Sequence, residues 1–405
     1  MRHSARSACS IALILTSGFV AGETVRAQSP PPQAIESMPV RFGPLGLAPS
    51  VALTNVGVDS NVFDDPSNPQ DDFTATMAPK LTARLRTRKV LFSYTGAVNF
   101  VYFQRLSSER SIDSTTGVRA DADFGRLQPY IDIGHVHTKE RLNAELDARA
   151  PRTQWNYAAG TRLLLASRTA VVAGVRRAEI NFDPDARFLG VDLSEMLNSR
   201  ANTADLGLQM TLTPLTTFSL TGSLQEDRFE RAPERNADSL RILPTLQFAP
   251  DALVRGSVSV GYRRFAPRRS DLPDYNGLVA QAGLGLTFLG RTTFDLSFLR
   301  DVQYSFEEFQ PYYLSTGGRL TITHQLVGRT DVQVTGGRQT MAYREMGRPG
   351  ETRRDRAGTV GLGAGYRLRD ATRLGINWER DRRRSLLAER QYSRQRLFVS
   401  LAFGS

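Results

Sequence analysis

The connections constrain this chain more than any single residue does. From residue 47 onward the sequence reads as a run of segments in which apolar and polar or small residues alternate, and the links between them are by turns tight and long. Phe92, Tyr94, Val98, Phe100 and Tyr102 alternate with Ser93, Thr95 and Asn99. Val360, Leu362, Ala364, Tyr366 and Leu368 alternate with Gly361, Gly363, Gly365 and Arg367. Successive side chains of a strand point to opposite faces, so each segment has one apolar face and one polar or open face. Strands are expected at 47–58, 73–86, 89–104, 110–123, 127–139, 152–165, 169–182, 199–213, 216–228, 237–248, 253–265, 276–289, 292–304, 312–326, 329–344, 355–368, 371–381 and 391–403.

The tight links are Thr87-Arg88, Gly125-Arg126, Ser167-Arg168, Pro214-Leu215, Ala249-Pro250-Asp251, Gly290-Arg291, Val327-Gly328 and Arg369-Asp370. Longer polar links at 64–72, 105–109, 140–151, 183–198, 229–236, 266–275, 305–311, 345–354 and 382–390 fall between them. Short turns on one side and long loops on the other are the rhythm of a transmembrane barrel with periplasmic turns and outer loops. A sandwich would need Greek-key crossovers, and a solenoid a fixed repeat. The expected fold is therefore all-β, a transmembrane antiparallel up-and-down β-barrel of about eighteen strands.

The first residues carry an export signal. Arg2 and Arg6 precede an apolar stretch from Ala8 to Val20, and Val25-Arg26-Ala27 offers a cleavage site after Ala27. That stretch is too short to span a bilayer as a helix. The expected organisation is a signal peptide at 1–27, a short periplasmic lead-in at 28–46 rich in proline and glycine, and the barrel at 47–405. The sole cysteine, Cys9, lies in the signal, so no disulfide or thiolate metal site is expected in the mature chain.

Composition then narrows the function. The formal net charge is +11 and only Lys80, Lys89 and Lys139 are lysines. The arginines are interleaved with acids along the whole chain instead of forming one basic face, which argues against nucleic acid as a partner. His135 and His137 share a strand face but lack a third ligand, and His324 falls near the periplasmic end. No catalytic, metal or cofactor site can be assembled from them, so no bond chemistry is expected.

Function is expected in the lumen. Arg119, Arg241, Arg255, Arg263, Arg319, Arg367 and Arg373 fall on the inward face, with Asp113, Asp121, Asp295, Asp301 and Glu379 opposing them. They read either as a ladder of ion pairs wiring the wall or as a basic path that attracts anionic solutes or an acidic polymer. Arg268, Arg269, Arg353, Arg354, Arg356, Arg382, Arg383 and Arg384 are expected at the outer rim, near lipopolysaccharide phosphates. Trp155, Tyr157, Tyr304, Tyr343 and Trp378 read as interfacial girdles. Of the outer loops, 183–198 is the longest and the best candidate to fold inward.

Gly57-Val58-Asp59-Ser60-Asn61-Val62-Phe63, at the outer end of the first strand, resembles a motif of a family of outer-membrane β-barrel porins that includes barrels associated with exopolysaccharide and capsule export. Val58 stands where that motif has an aromatic residue. Leu397 to Phe403 is similar to the C-terminal signal of outer-membrane proteins, with Gly404-Ser405 added after the aromatic. In this chain Asp59, Ser60 and Asn61 have the residue types of a turn cap. The resemblance implies an outer-membrane barrel of a Gram-negative bacterium and, more loosely, a polymer substrate. The leading expectation is a channel for exopolysaccharide export, working with periplasmic and inner-membrane export proteins and inserted by the barrel assembly machinery. The alternatives are a general or anion-preferring porin for small solutes, and a structural or adhesive barrel.

Overall fold

The computed structural model describes Ile35, residues 38–348, 350–369 and 371–404; the segment 1–27, expected to be a signal peptide, lies outside the described residues. The barrel strands are β1 (Leu45–Asp59), β2 (Asp72–Arg86), β3 (Val90–Phe103), β4 (Ser111–Ala122), β5 (Leu127–Thr138), β6 (Arg152–Ala166), β7 (Thr169–Phe182), β8 (Ser199–Thr213) and β9 (Thr216–Phe229). They continue with β10 (Ala237–Phe248), β11 (Val254–Pro267), β12 (Tyr275–Phe288), β13 (Thr292–Tyr304), β14 (Tyr312–Gln325), β15 (Thr330–Arg344), β16 (Arg353–Arg369), β17 (Thr372–Arg384) and β18 (Tyr392–Phe403). Each pairs antiparallel with its neighbour in sequence, and β1 pairs with β18. The result is a closed eighteen-stranded up-and-down barrel. Closure leaves no sheet edge facing lipid, which offers backbone groups no hydrogen-bond partner.

The alternation sets the faces. Large apolar side chains such as Val175, Leu206, Leu224 and Leu278 stand outward and exposed on the protein surface. Ser219, Thr221 and Ser223 of β9 point to the inner side. The expected strand ends agree with the observed ones to within three residues, because the local period and the turn chemistry both mark them.

The wall departs from regularity on one side of its outer end. Pairing between β12 and β13 stops at Ala280 and Arg300, so Tyr275 to Val279 lose their β13 partner. Above that point the outer ends of β13 to β15 are buried on both faces. Val302, Tyr312, Leu314 and Ala342 pack with Leu243, Phe265, Tyr275 and Val279, while Tyr313, Met341 and Tyr343 pack with Ala144 and Ala357. Arg300 covers the gap, its Nε donating to the Leu278 carbonyl at 3.2 Å and its Nη1 to Thr316 Oγ1 at 2.8 Å. Tyr304 and Tyr343 are thus internal: Tyr304 donates its hydroxyl to Asp227 Oδ2 at 2.9 Å, and Tyr343 is fully buried. They are not girdle residues, since strand ends that lean over a lumen carry their aromatics inside. Trp378 remains outward, and Trp155 and Tyr157 stack on each other at 5.8 Å.

Candidate functional site: the lumen and its outer mouth

The motif near residue 60 is a closure device. Asp59 accepts from Arg394 Nε of β18 at 2.8 Å, and the Asn61 amide donates to Asp59 Oδ1 at 3.1 Å. Ser60 is bonded to Gln395 in both directions, its amide donating to the carbonyl at 2.9 Å and its Oγ accepting from the amide at 2.8 Å. Asn61 Oδ1 accepts from the Asp65 amide at 3.0 Å, the turn-capping role expected of it. Gly57 lies so close to β18 that a Cβ would stand 1.9 Å from the Leu397 carbonyl oxygen. The motif therefore stitches the first strand to the last, a contact between residues more than 330 positions apart that sequence spacing could not show.

A polar chain leads from that seam across the mouth. Arg394 also faces Asp64 at 3.8 Å, and Asp64 faces Arg141 Nε at 3.1 Å. Arg141 belongs to the β5–β6 loop, residues 139–151, which reaches the far wall. There Arg383 of β17 donates to the Ala144 carbonyl at 2.8 Å, to Asp147 Oδ2 at 3.0 Å and to Asp355 Oδ2 at 2.7 Å. Arg390 donates to Asp147 Oδ1 at 3.3 Å and to the Glu145 carbonyl, and Ser305 Oγ donates to Glu145 Oε1 at 2.8 Å. Arg383 is 1% exposed and Asp355 0%. A buried arginine of this kind holds its position only when carboxylates and carbonyls satisfy its fork of donors. Arg353, expected at the rim, is also buried and pairs with Glu307 at 2.7 Å. Arg353 and Arg383 thus face away from lipid, because inward positions on β16 and β17 are the odd-numbered ones.

The loop 183–198 also packs inward. Its Leu193 and Leu197 join Leu146, Phe182, Phe229 and Phe306 in one apolar cluster over the mouth. Asp192 caps the short helix Leu193–Leu197, accepting from Ser194 N at 2.9 Å and Glu195 N at 3.2 Å. The loop that spans the opening, however, is 139–151. Its length did not mark it; the partners on β17 did. Burial pushes the Glu145 carboxyl up to about 7 and that of Asp64 up to about 6, in each case against the pull of nearby arginines.

Beneath this loop lies a cavity of about 590 Å3 whose lining includes Lys80, Asn99, Arg149, Arg319, Gln339 and Arg394. Of the arginines expected to face inward, Arg119, Arg241, Arg255, Arg263 and Arg373 are seen in ion pairs. Arg119 meets Asp121 at 2.7 Å, Arg255 meets Asp295 at 3.3 Å and Arg373 meets Asp331 at 2.6 Å. Arg241 and Arg263 converge on Asp301 at 2.9 and 2.8 Å. Several of these pairs bridge three strands over a central glycine: Arg255 lies across Gly285 and Arg373 across Gly365, where a Cβ would collide with the guanidinium. The inward glycines opposite arginines were a readable sign of such pairs. Asp331, and Asp205, which pairs with Arg176 at 2.9 Å, are acidic partners not expected from the sequence, as is Asp132, 3.7 Å from Arg119. Arg319 lines the cavity, and Arg367 lies on the inner face without an ion pair among the described residues. Lys80 has none either, and Arg162 is held by Gln209 at 2.6 Å and Gln128 at 3.0 Å.

The histidines lie elsewhere. His135 packs on Trp155 with ring centroids 4.3 Å apart, His137 shares a hydrogen bond with Thr153, and His324 one with Thr292.

A closed barrel with a polar bore is matched by a sequence comparison: the family described as "Putative beta-barrel porin 2" covers residues 33–404. The chain belongs to that porin family. It is an outer-membrane β-barrel porin of the Gram-negative type, and the arrangement just described is this porin's channel and outer mouth. No curated protein is significantly similar in sequence. Among solved structures, this porin is similar to OpdK of Pseudomonas aeruginosa, at 13% identity over 88% of this chain and 98% of that one, with a TM-score of 0.47. OccK2 (OpdF) of the same organism, solved in complex with glucuronate, has 12% identity over 88% and 98% with a TM-score of 0.49. OccK3 (OpdO) has 12% identity over 88% and 95% with a TM-score of 0.48.

Proposed function

We propose that this porin is a diffusion channel for small solutes with a preference for anions. The observation that carries the reading is the imbalance left after ion pairing. Lys80, Arg162 and Arg367 face the bore with no carboxylate in ion-pair range among the described residues. Of the inward carboxylates that lack an ion pair among the described residues, Asp113 and Asp227 on the wall are instead buried under hydrogen bonds from Lys139 N and from Tyr304 and Gln225, and Glu145 on the loop is buried under the Ser305 hydroxyl. A narrow low-dielectric bore focuses the field of its unpaired charges, so a few such cations bias which ions enter.

The expectation of exopolysaccharide export gives way to this reading. The outer mouth is crossed by the 139–151 loop, pinned at the far wall by Arg383 and Arg390. A polymer would have to break that buried network to thread through, whereas small solutes need only the space beside it. An adhesive barrel would not need a polar bore with uncompensated cations.

The test is the reversal potential of single channels of the mature protein in planar bilayers under a potassium chloride gradient. Anion selectivity is expected, moving toward cations in Lys80→Glu and further in Lys80→Glu with Arg367→Glu. A cation-selective wild type, or no conductance from a folded barrel, overturns the proposal.

A further inference from the structure

The outward face of β15 to β17 carries a feature that the channel does not use. Arg338, Arg356, Arg380, Arg382 and Arg384 share the parity of Val334, Val360, Leu362 and Ile376, which are exposed on the lipid side. All five arginines are exposed, and none has an ion pair among the described residues. Near their outer ends and at the base of β17 the same strands pair inward arginines: Arg353 with Glu307, Arg383 with Asp355 and Arg373 with Asp331. Of the outward arginines elsewhere, Arg177 pairs with Glu179 and Arg228 with Asp238 at 2.7 Å, while Arg200 and Arg264 stand singly among the described residues and are not clustered as these five are. The loop carboxylates nearest the patch, Glu345 and Glu351, are taken by Arg348 and Arg354, and Glu389 belongs to the β17–β18 loop.

The register makes this patch costly on its own. Arg356 sits directly opposite Arg384, and like charges opposite each other in a sheet repel. Arg338 and Arg382 flank Gly358 on either side, and a Cβ at Gly358 would meet only the Gly337 carbonyl oxygen at 3.7 Å. Two guanidinium groups thus stand beside an open notch about 10 Å wide, two strand spacings across. Height fits as well. At about 2.5 Å per residue for a strand tilted by about 40°, Arg380, Arg382 and Arg384 stand roughly 20, 25 and 30 Å above the base of β17, against an apolar belt about 25 Å tall. Trp378, an outward aromatic one step below Arg380, marks the interface.

We infer that this patch is a binding site for the phosphorylated headgroup of the outer-leaflet glycolipid, the lipid A portion of lipopolysaccharide. Arg356, Arg382 and Arg384 hold a phosphate by charge-assisted bonds and the apolar face below takes the acyl chains. The anion removes the repulsion between Arg356 and Arg384, and the amphiphile explains why the cations lie directly above an apolar band. The site is independent of what passes through the bore.

Titration of purified full-length mature barrel in detergent with lipopolysaccharide, read by native mass spectrometry, tests the inference. Arg356→Gln with Arg382→Gln and Arg384→Gln should weaken binding about a hundredfold. The triple lysine variant should stay within a few fold, and Arg177→Gln should bind as the wild type does. Folding of each variant is checked by heat-modifiable migration in gels. Should the triple glutamine variant not fold, Arg382→Gln alone should lose about fivefold. Phosphatase-treated lipid A should bind as weakly as the triple variant binds the native lipid, and millimolar inorganic phosphate should not displace the glycolipid. Unchanged binding by a folded glutamine variant, equal binding of the dephosphorylated lipid, or displacement by free phosphate overturns the assignment.

Discussion

The two ends of the barrel are built on different principles. At the periplasmic end, β-strands are joined by links as short as Ser167-Arg168 and Pro214-Leu215, and turns close on local backbone bonds such as that from Thr87 N to the Val90 carbonyl at 2.9 Å. Those turns depend on neighbours in sequence. At the outer end, shape depends on side chains that meet from remote strands: Asp59 with Arg394, Asp64 with Arg141, and Asp147 with Arg383 and Arg390. The two ends therefore differ in how readily they change. A turn that uses local backbone has few alternatives, whereas a loop held by buried charges can be released by removing or titrating one of them.

The comparison breaks most severely at the seam. Gly57→Val places side-chain atoms against the Leu397 carbonyl, so β1 and β18 cannot close, and the heat-modifiable folded species should be lost altogether. A folded barrel from that variant would show that closure does not need the close approach. The next largest effect is expected for Arg383→Met. It removes the cation that Asp147 and Asp355 share and leaves each with one arginine, Arg390 and Arg353, a local loss of about 3 kcal/mol that should loosen the 139–151 loop. Conductance should rise and limited proteolysis should cut within 140–151 while the wall stays intact.

A smaller change follows from pH. The Glu145 carboxyl is held up to about 7 and the Asp64 carboxyl up to about 6, chiefly by burial, above their ordinary values of 4.5 and 3.8. The docked loop therefore binds more protons than the undocked one between those limits. Docking is firmest below about pH 4 and weakens as pH rises through about 6 and 7. Hydrogen exchange in the loop should speed up on going from pH 5 to 8, after correction for intrinsic rates. Glu145→Gln, which keeps an acceptor for Ser305, should flatten the upper part of that profile; an unchanged profile would remove Glu145 from the account. The smallest effect is expected at the opposite end. Pro214→Ala, in a tight exposed turn, should alter stability by no more than about 0.5 kcal/mol and leave conductance as it was. A large loss there would show that the periplasmic turns, too, depend on long-range contacts.

Much of the candidate site was legible, but only by face. Alternation placed Arg119, Arg241, Arg255, Arg263 and Arg373 inward, and each is there with a carboxylate partner. It could not say that Arg241 and Arg263 share Asp301, because the carboxylate comes from β13 while the arginines come from β10 and β11. It assigned Arg353 and Arg383 to the lipid rim by their nearness to loops, although their odd parity already argued for the interior. Tyr304 and Tyr343 failed for another reason: the lean of β13 to β15 over the lumen is a tertiary bend with no local signature.

What the amino-acid order determined by itself is everything governed by neighbours one to four residues apart. Strand count, strand ends, the apolar and polar faces and the sidedness of the turns all follow from side-chain alternation and turn chemistry. The tertiary structure alone decided which distant groups meet: Gly57 against Leu397, the 139–151 loop against Arg383, Arg356 against Arg384. Those encounters are set by the closed circumference of the wall. Its geometry fixes which faces look at each other across the bore, and no short window of sequence contains that information.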